Sequence, residues 1–159
     1  MLNEGGVYML SPLIACNNFI KKAAEEKTSM TPLKIQKLLY MLYSCYYRQT
    51  GRPLFSDQFV VWPYGPVLTV VYDEFKKYKS GNITDFHYSS DGKVYVVDED
   101  DEEFQKTFDL VWNKYGHDTG VKLSNMTHKE GTAWYRAENY GDILKLEDTK
   151  DDARRWFEK

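Results

Sequence analysis

The stretch over residues 30–79 constrains the fold of this chain most, because helix and turn signals follow one another there at defined spacings. Thr31 and Pro32 favour a helix start: the hydroxyl can accept from a free backbone amide, and proline suits the first helical position. Apolar residues then recur every three or four positions as far as residue 46. Gly51 follows, where a left-handed residue would end the helix. The pattern predicts one helix of about five turns over residues 31–50.

A β-branched and aromatic run over residues 59–62 follows this helix and predicts a short strand that ends at Trp62. Prolines at positions 63 and 66 restrict the backbone on both sides of Gly65, which is free to adopt a positive φ. We therefore expect a stiff turn here. By the same rule as Pro32, Pro66 predicts the first turn of a helix that extends to residue 79.

The rest of the chain predicts further helices and a second strand region. Five more segments have helical signals: residues 11–27, 104–115, 120–127, 132–137 and 148–159. Residues 83–88 and 93–97 flank an Asp-Gly pair and predict a β-hairpin. The fold class is therefore α+β and mainly helical, with about five main helices around the central helix 31–50 and a small antiparallel sheet of two or three strands.

Length and composition fit one domain over residues 1–159, with residues 1–10 as a terminal arm and a weaker pattern over 140–159. Aromatic residues make up 16% of the chain, including 13 tyrosines, so we expect some rings to serve a binding surface as well as the core. The sequence has no signal peptide and no run of 18 apolar residues. We expect a cytoplasmic protein without a membrane partner.

Charge is divided unevenly along the chain. Residues 1–80 carry ten basic and six acidic side chains, whereas residues 81–159 carry eleven and eighteen. The net charge of −3 argues against DNA as the main partner, since nucleic-acid binding needs a basic surface. Residues 98–103 are six consecutive carboxylates. They suggest either a site for a metal or a protein partner, or the acidic first turn of a helix, and helix-dipole electrostatics favours the second interpretation.

No motif for catalysis, metal binding or cofactor binding is present in the sequence. Cys16 and Cys45 lie in apolar helical patterns, which predicts reduced core thiols. The three histidines, His87, His117 and His128, lack ligand spacing, and the chain has no P-loop, dinucleotide fingerprint or nucleophile elbow. We expect no enzyme, no metal and no cofactor; an enzyme whose site the sequence does not reveal is the alternative.

Two motifs resemble those of the Panacea domain, the SocA-like antitoxin or phage-associated family. The first combines Thr-Pro-Leu-Lys-Ile-Gln-Lys-Leu-Leu-Tyr at 31–40 with Trp-Pro-Tyr-Gly-Pro-Val at 62–67, and the second combines Leu-Ser-Asn-Met-Thr-His-Lys-Glu at 123–130 with Trp134. The resemblance extends from about residue 11 to about residue 137. It implies an antitoxin that binds and neutralises a toxin encoded beside it, by direct contact or as an adaptor to an AAA+ protease. A phage- or mobile-element-encoded host modulator is the other alternative.

Tight protein contacts concentrate their energy in a few aromatic anchors, which selects the candidate partner-binding residues. These candidates are Tyr43, Tyr47, Tyr64, His128, Trp134 and Tyr135. We expect the two motif regions to converge into one surface, supported by the structural residues Thr31, Pro32, Trp62, Gly65 and Pro66. The opposite interpretation is that the tyrosines of the long helix, Trp134 and His128 pack inside the core, and the sequence leaves both open.

Overall fold

The computed structural model describes residues 10–158. These residues form a mainly helical α+β fold, as predicted. The elements in chain order are α1 (Pro12–Glu26), α2 (Pro32–Thr50), β1 (Val60–Trp62), β2 (Gly65–Val67), α3 (Thr69–Phe75), a 3-10 turn (Lys76–Tyr78), α4 (Glu102–Tyr115), α5 (Gly120–Thr127), α6 (Ala133–Arg136) and α7 (Leu146–Phe157). The predicted terminal arm, apart from Leu10, lies outside the described residues.

Helix α2 is the centre of the fold, as predicted. It begins where expected, because the Thr31 hydroxyl accepts from the amide of Lys34 at 3.2 Å, and it ends at Gly51, whose φ is 73°. Every residue from 34 to 46 is buried, so the core surrounds the helix on all sides. Helices α4, α5 and α7 pack against it.

A buried carboxylate connects three helices. Asp152 of α7 is only 1% exposed, and its Oδ2 accepts from the Tyr40 hydroxyl of α2 at 2.7 Å. Its Oδ1 accepts from the amide of Ala133 at 3.1 Å, at the start of α6. Burial raises the pKa of Asp152, and these two hydrogen bonds partly offset that effect. Helix α7 therefore holds α6 in place on the central helix.

The two strands form a hairpin in which Trp62 is opposite Gly65 and Val60 is opposite Val67. The prediction that a helix starts at Pro66 is wrong, because Pro66 belongs to β2 and α3 begins at Thr69. The pairing with β1 holds this part of the backbone in the strand, so proline here ends the turn and does not begin a helix.

A third segment, residues 141–144, pairs with the other side of β1. The Val61 amide donates to the Asp142 carbonyl at 2.9 Å, and the Leu144 amide donates to the Phe59 carbonyl at 2.8 Å. The predicted hairpin over 83–97 is wrong as a strand pair. Its Asp-Gly turn is present, with the Ser89 amide donating to the Lys93 carbonyl at 2.9 Å, but no strand is formed on either side of it.

The acidic run and the cysteines have the structural roles that the sequence favoured. Asp101 caps α4 by accepting from the Phe104 amide at 3.1 Å, and two further carboxylates of the run lie in the first helical turn. Cys16 and Cys45 are free thiols within the core. Burial raises the pKa of Cys45 to about 11 and that of Cys16 further, so both remain protonated.

Candidate functional site

The tight turn between β1 and β2 is the centre of the candidate site. Pro63 and Tyr64 form the two-residue connection, and the side chain of Tyr64 is 70% exposed. Gly65 has a φ of 117°, which is strained for any residue with a side chain. A Cβ at this position would lie 2.8 Å from Oγ1 of Thr127 and 3.1 Å from Cε of Lys37. Glycine is therefore required both by the backbone conformation and by the close approach of α2 and α5.

The second motif holds this turn from one side. The Ser124 hydroxyl of α5 donates to the Tyr64 carbonyl at 2.6 Å, and the Trp134 indole nitrogen of α6 donates to the Trp62 carbonyl at 2.7 Å. Each bond satisfies a carbonyl at the end of the hairpin, where strand pairing stops. The structure thus brings the two motif regions into contact, as expected.

The central helix holds the other side of the hairpin through two polar side chains. The Gln36 amide donates to the Leu68 carbonyl at 2.9 Å and its oxygen accepts from the Leu68 amide at 3.0 Å. The Lys37 ammonium nitrogen donates to the Pro66 carbonyl at 2.8 Å. Lys37 is fully buried, and within residues 10–158 no carboxylate lies within salt-bridge distance of it. Burial lowers the pKa of Lys37 to about 7.

An apolar groove of about 220 Å³ opens between the hairpin, the start of α2 and α3. Its walls include Leu33, Trp62, Tyr64 and Tyr72, and the Trp62 and Tyr72 rings meet edge to face with centroids 4.9 Å apart. The groove is large enough for one apolar side chain of another protein, and its aromatic walls suit such an occupant.

Half-buried and exposed rings extend the site beyond the turn. His128 and Trp134 are half-buried, and Trp134 also packs against the core. The Trp134 ring lies 5.2 Å from His128 and 6.4 Å from the exposed Tyr140, measured between centroids. Tyr135, the next residue on α6, is 54% exposed. We refer to Tyr64, His128, Trp134, Tyr135 and Tyr140 as the hairpin surface.

Two tyrosines that the sequence offered as anchors lie elsewhere. Tyr43 is 2% exposed and stacks on Phe55 with centroids 5.0 Å apart, so its ring belongs to the core and cannot contact a partner in this conformation. Burial raises its pKa to about 12. Tyr47 is half-buried at the far end of α2, where its hydroxyl donates to Glu147 at 2.5 Å. Tyr43 fills a place around the stretch of α2 that is buried on every side, whereas Tyr47 lies just beyond that stretch.

Ser124 and His128 could suggest a nucleophile and its base, but their geometry does not fit that role. The Ser124 oxygen lies 3.5 Å from Nδ1 of His128, whereas its hydroxyl donates at 2.6 Å to the Tyr64 carbonyl. A nucleophile needs its proton directed at the base. The pair therefore acts as a structural contact of the turn.

Several residues of the site were missed in the sequence. Lys37 and Gln36 lie in a helical run where charged and amide side chains are normally solvent-exposed, so their burial depends on the hairpin that covers them. Tyr140 follows the second motif and is brought to Trp134 by the chain reversal before residues 141–144. The one sequence feature that could have indicated their burial is that these polar residues interrupt the apolar positions of a helix predicted to be central.

Comparison with known proteins assigns the chain to a family. The family model described as "Antitoxin SocA-like, Panacea domain" matches residues 35–135, which is more than half of the chain and includes both the hairpin and the second motif. The chain belongs to this family. The Panacea resemblance predicted from the motifs is confirmed.

A curated relative supports the same assignment. Antitoxin SocA of Caulobacter vibrioides (strain NA1000 / CB15N) is 28% identical over 122 residues, which cover 74% of this chain and 65% of the relative. The chain thus spans less than two thirds of that relative's length. No solved structure shows significant similarity to the chain.

Neither a membrane-spanning helix nor a cluster of metal ligands is present in the described residues. No helix between residues 10 and 158 is both long enough and apolar enough to cross a bilayer. In the same part of the chain, no three histidine, cysteine or acidic side chains are grouped as metal ligands.

Proposed function

We propose that this Panacea domain is an antitoxin that binds and neutralises a cognate protein toxin through the hairpin surface. The observation that supports this best is that both family motifs meet at one turn and leave Tyr64 70% exposed on it. A large ring on a two-residue turn that is fixed from both sides loses little conformational entropy on binding. Such a ring has the properties of an interface anchor.

The apolar groove gives the toxin a complementary place to bind. A side chain of the toxin enters the groove and packs on its wall of Trp62 and Tyr72, while Tyr64 and the rings of the second motif cover the surface around it. Contacts of this kind combine a buried apolar centre with a polar rim, which His128 and the tyrosine hydroxyls supply here. Tyr43 and Tyr47 are not among the proposed contacts, because Tyr43 lies in the core and Tyr47 lies at the far end of α2.

The experiment co-expresses the product of the neighbouring gene with wild type and with single variants. Tyr64→Ala and Tyr135→Ala remove exposed rings from the hairpin surface. Tyr88→Ala is the matched control, because Tyr88 is 52% exposed and lies outside this surface, in the 83–97 segment. All three variants should keep the wild-type melting temperature, since no ring is taken from the core. Tyr64→Ala and Tyr135→Ala should fail to rescue growth, and Tyr88→Ala should rescue fully.

The same strains separate the two routes of neutralisation. An antitoxin that occludes its toxin leaves the toxin half-life unchanged, whereas an adaptor to an AAA+ protease shortens it and loses this effect when the protease is deleted. Folded Tyr64→Ala and Tyr135→Ala variants that both neutralise fully would refute the hairpin surface. A neighbouring gene product that is harmless when expressed alone would refute the antitoxin proposal itself.

A further inference from the structure

The backbone of residues 93–97 uses its hydrogen-bonding groups in alternation. The carbonyl of Lys93 accepts from Ser89 at 2.9 Å, and the carbonyl of Tyr95 accepts from the side-chain amide of Asn17 at 2.9 Å. The amide of Val97 donates to Oδ1 of Asn18 at 2.9 Å. In a β-strand the N–H and C=O of one residue point to one side and those of the next residue point to the other. Backbone groups of the odd-numbered residues here face the protein, as they would in an edge strand, whereas the side chains of Lys93 and Tyr95 are exposed.

The even-numbered residues face outward. Among residues 10–158, no group forms a hydrogen bond with the backbone N–H or C=O of Val94 or Val96. Their side chains are 36% and 37% exposed. Exposed β-branched residues beside unpaired backbone groups form a template on which another strand can pair.

The asparagines of α1 explain why this edge exists without a sheet behind it. The Asn17 side chain is fully buried; besides Tyr95 it donates to the His87 carbonyl at 3.0 Å and accepts from the His87 amide at 2.8 Å. Asn17 thus replaces a neighbouring strand on the inner side. The outer side is left open, and it is fixed on α1, away from the contacts of α2, α5 and α6 that hold the hairpin surface.

Charge identifies the occupant. Asp91 precedes the edge, and the exposed carboxylates of Asp98, Glu99 and Asp100 follow it, before the Asp101 cap of α4. Within the edge, Lys93 is the one basic side chain. We infer that residues 93–97 form a docking edge for an extended, basic segment of a partner protein, which adds as a β-strand between these two acidic flanks. This inference goes beyond the proposed toxin contact and does not depend on it.

A second copy of the chain fits the edge poorly. If two copies paired antiparallel so that the outward N–H and C=O groups of Val94 bonded to those of Val96 in the other copy, the two strands would be centred on Tyr95. The same register puts Asp91 opposite Glu99, so that like charges meet at both ends. A basic strand replaces this repulsion with attraction.

The test uses the full chain labelled with ¹⁵N and a synthetic hexapeptide of alternating lysine and valine with blocked ends. At saturation the amide exchange of Val94 and Val96 should slow by about tenfold or more, and that of Tyr95 should stay unchanged. Raising salt from about 50 mM to about 500 mM should weaken binding several-fold, since the carboxylates are exposed. A peptide with glutamate in place of lysine should not bind.

Two matched comparisons isolate backbone pairing from charge attraction. Val96→Pro removes one outward N–H and should reduce peptide affinity by about tenfold or more, whereas Val96→Thr keeps the N–H and should bind like wild type. The same lysine–valine peptide, N-methylated at two consecutive central residues, keeps its charge but loses a donor in either register. It should bind about tenfold more weakly or worse.

Several outcomes would overturn the inference. Equal binding of the plain and N-methylated peptides would reduce the contact to charge alone. Val94 and Val96 amides already protected in the free monomer would mean that the chain covers its own edge. A dimer that Val96→Pro dissociates would make a second copy the occupant, and absence of any peptide binding would remove the docking edge.

Discussion

The buried Lys37 should make the stability of this domain depend on pH in a defined direction. Burial lowers its pKa to about 7 in the folded chain from the ordinary 10.5, so between these values the unfolded chain holds a proton that the folded chain lacks. Stability therefore rises as the pH increases through this interval, by at most about 1.4 kcal/mol per pH unit. From about pH 6 to about pH 9, the two pKa values give a gain of about 2.5 kcal/mol in the free energy of unfolding.

Lys37→Met isolates this effect. Methionine fills the same apolar space and does not titrate, while the buried thiols and tyrosines contribute equally to both proteins and cancel in the comparison. Urea unfolding at several pH values should show wild type gaining about 2.5 kcal/mol relative to Lys37→Met between pH 6 and pH 9. Only the change with pH is informative, because the pH-independent difference in unfolding free energy between the two proteins also contains the loss of the hydrogen bond to the Pro66 carbonyl. Curves that run parallel over this range would mean that Lys37 stays charged in the fold.

Three further substitutions, two of them paired with a comparison variant, test the framework of the site. Gly65→Val should lower the free energy of unfolding by about 3 kcal/mol or more, because backbone strain and the collision of the new side chain add. A side chain at Gly51 meets no atom within 4 Å, so Gly51→Ala should cost about 1 kcal/mol from its positive φ alone. Equal losses for the two variants would remove the argument for close approach at Gly65. Thr31→Ala should cost about 1 kcal/mol in urea unfolding, and an unchanged midpoint would show that its hydroxyl does not stabilise the helix start. Asp152→Ala leaves the buried Tyr40 hydroxyl and Ala133 amide unpaired and should cost about 2–4 kcal/mol of stability. Substitution of its exposed neighbour, Asp151→Ala, should change the stability by no more than about 0.5 kcal/mol. Similar shifts in melting temperature for the two variants would contradict the buried network.

Local rules predicted the parts of the fold that local chemistry determines. The Thr31 cap depends on a hydroxyl and an amide three residues apart, and the positive φ of Gly65 depends on the prolines beside it. The same rules failed where pairing with another strand competes with the helix signal. Pro66 is held in β2 by pairing with Val61, a contact that no rule about proline in helices includes.

The 83–97 segment illustrates the same limit. Its β-branched residues and Asp-Gly turn predicted a hairpin, but the buried side chain of Asn17 forms the hydrogen bonds that a second strand would have made. The pairing partner is 70 or more residues away in sequence and uses a side chain in place of a backbone. The sequence left open whether Tyr43 faces the core or a partner for a related reason, because periodicity along α2 does not tell how many neighbours surround the helix.

The hairpin turn separates the atoms that hold the fold from the atoms proposed to contact a partner. At position 64 the backbone carbonyl is bound by Ser124, whereas the ring is directed to solvent. Substitution of the ring therefore leaves the scaffold intact, since every residue type supplies the same carbonyl. If position 64 contacts the toxin as proposed, its residue type can change from one family member to another without loss of stability, so one stable framework can carry different recognition surfaces.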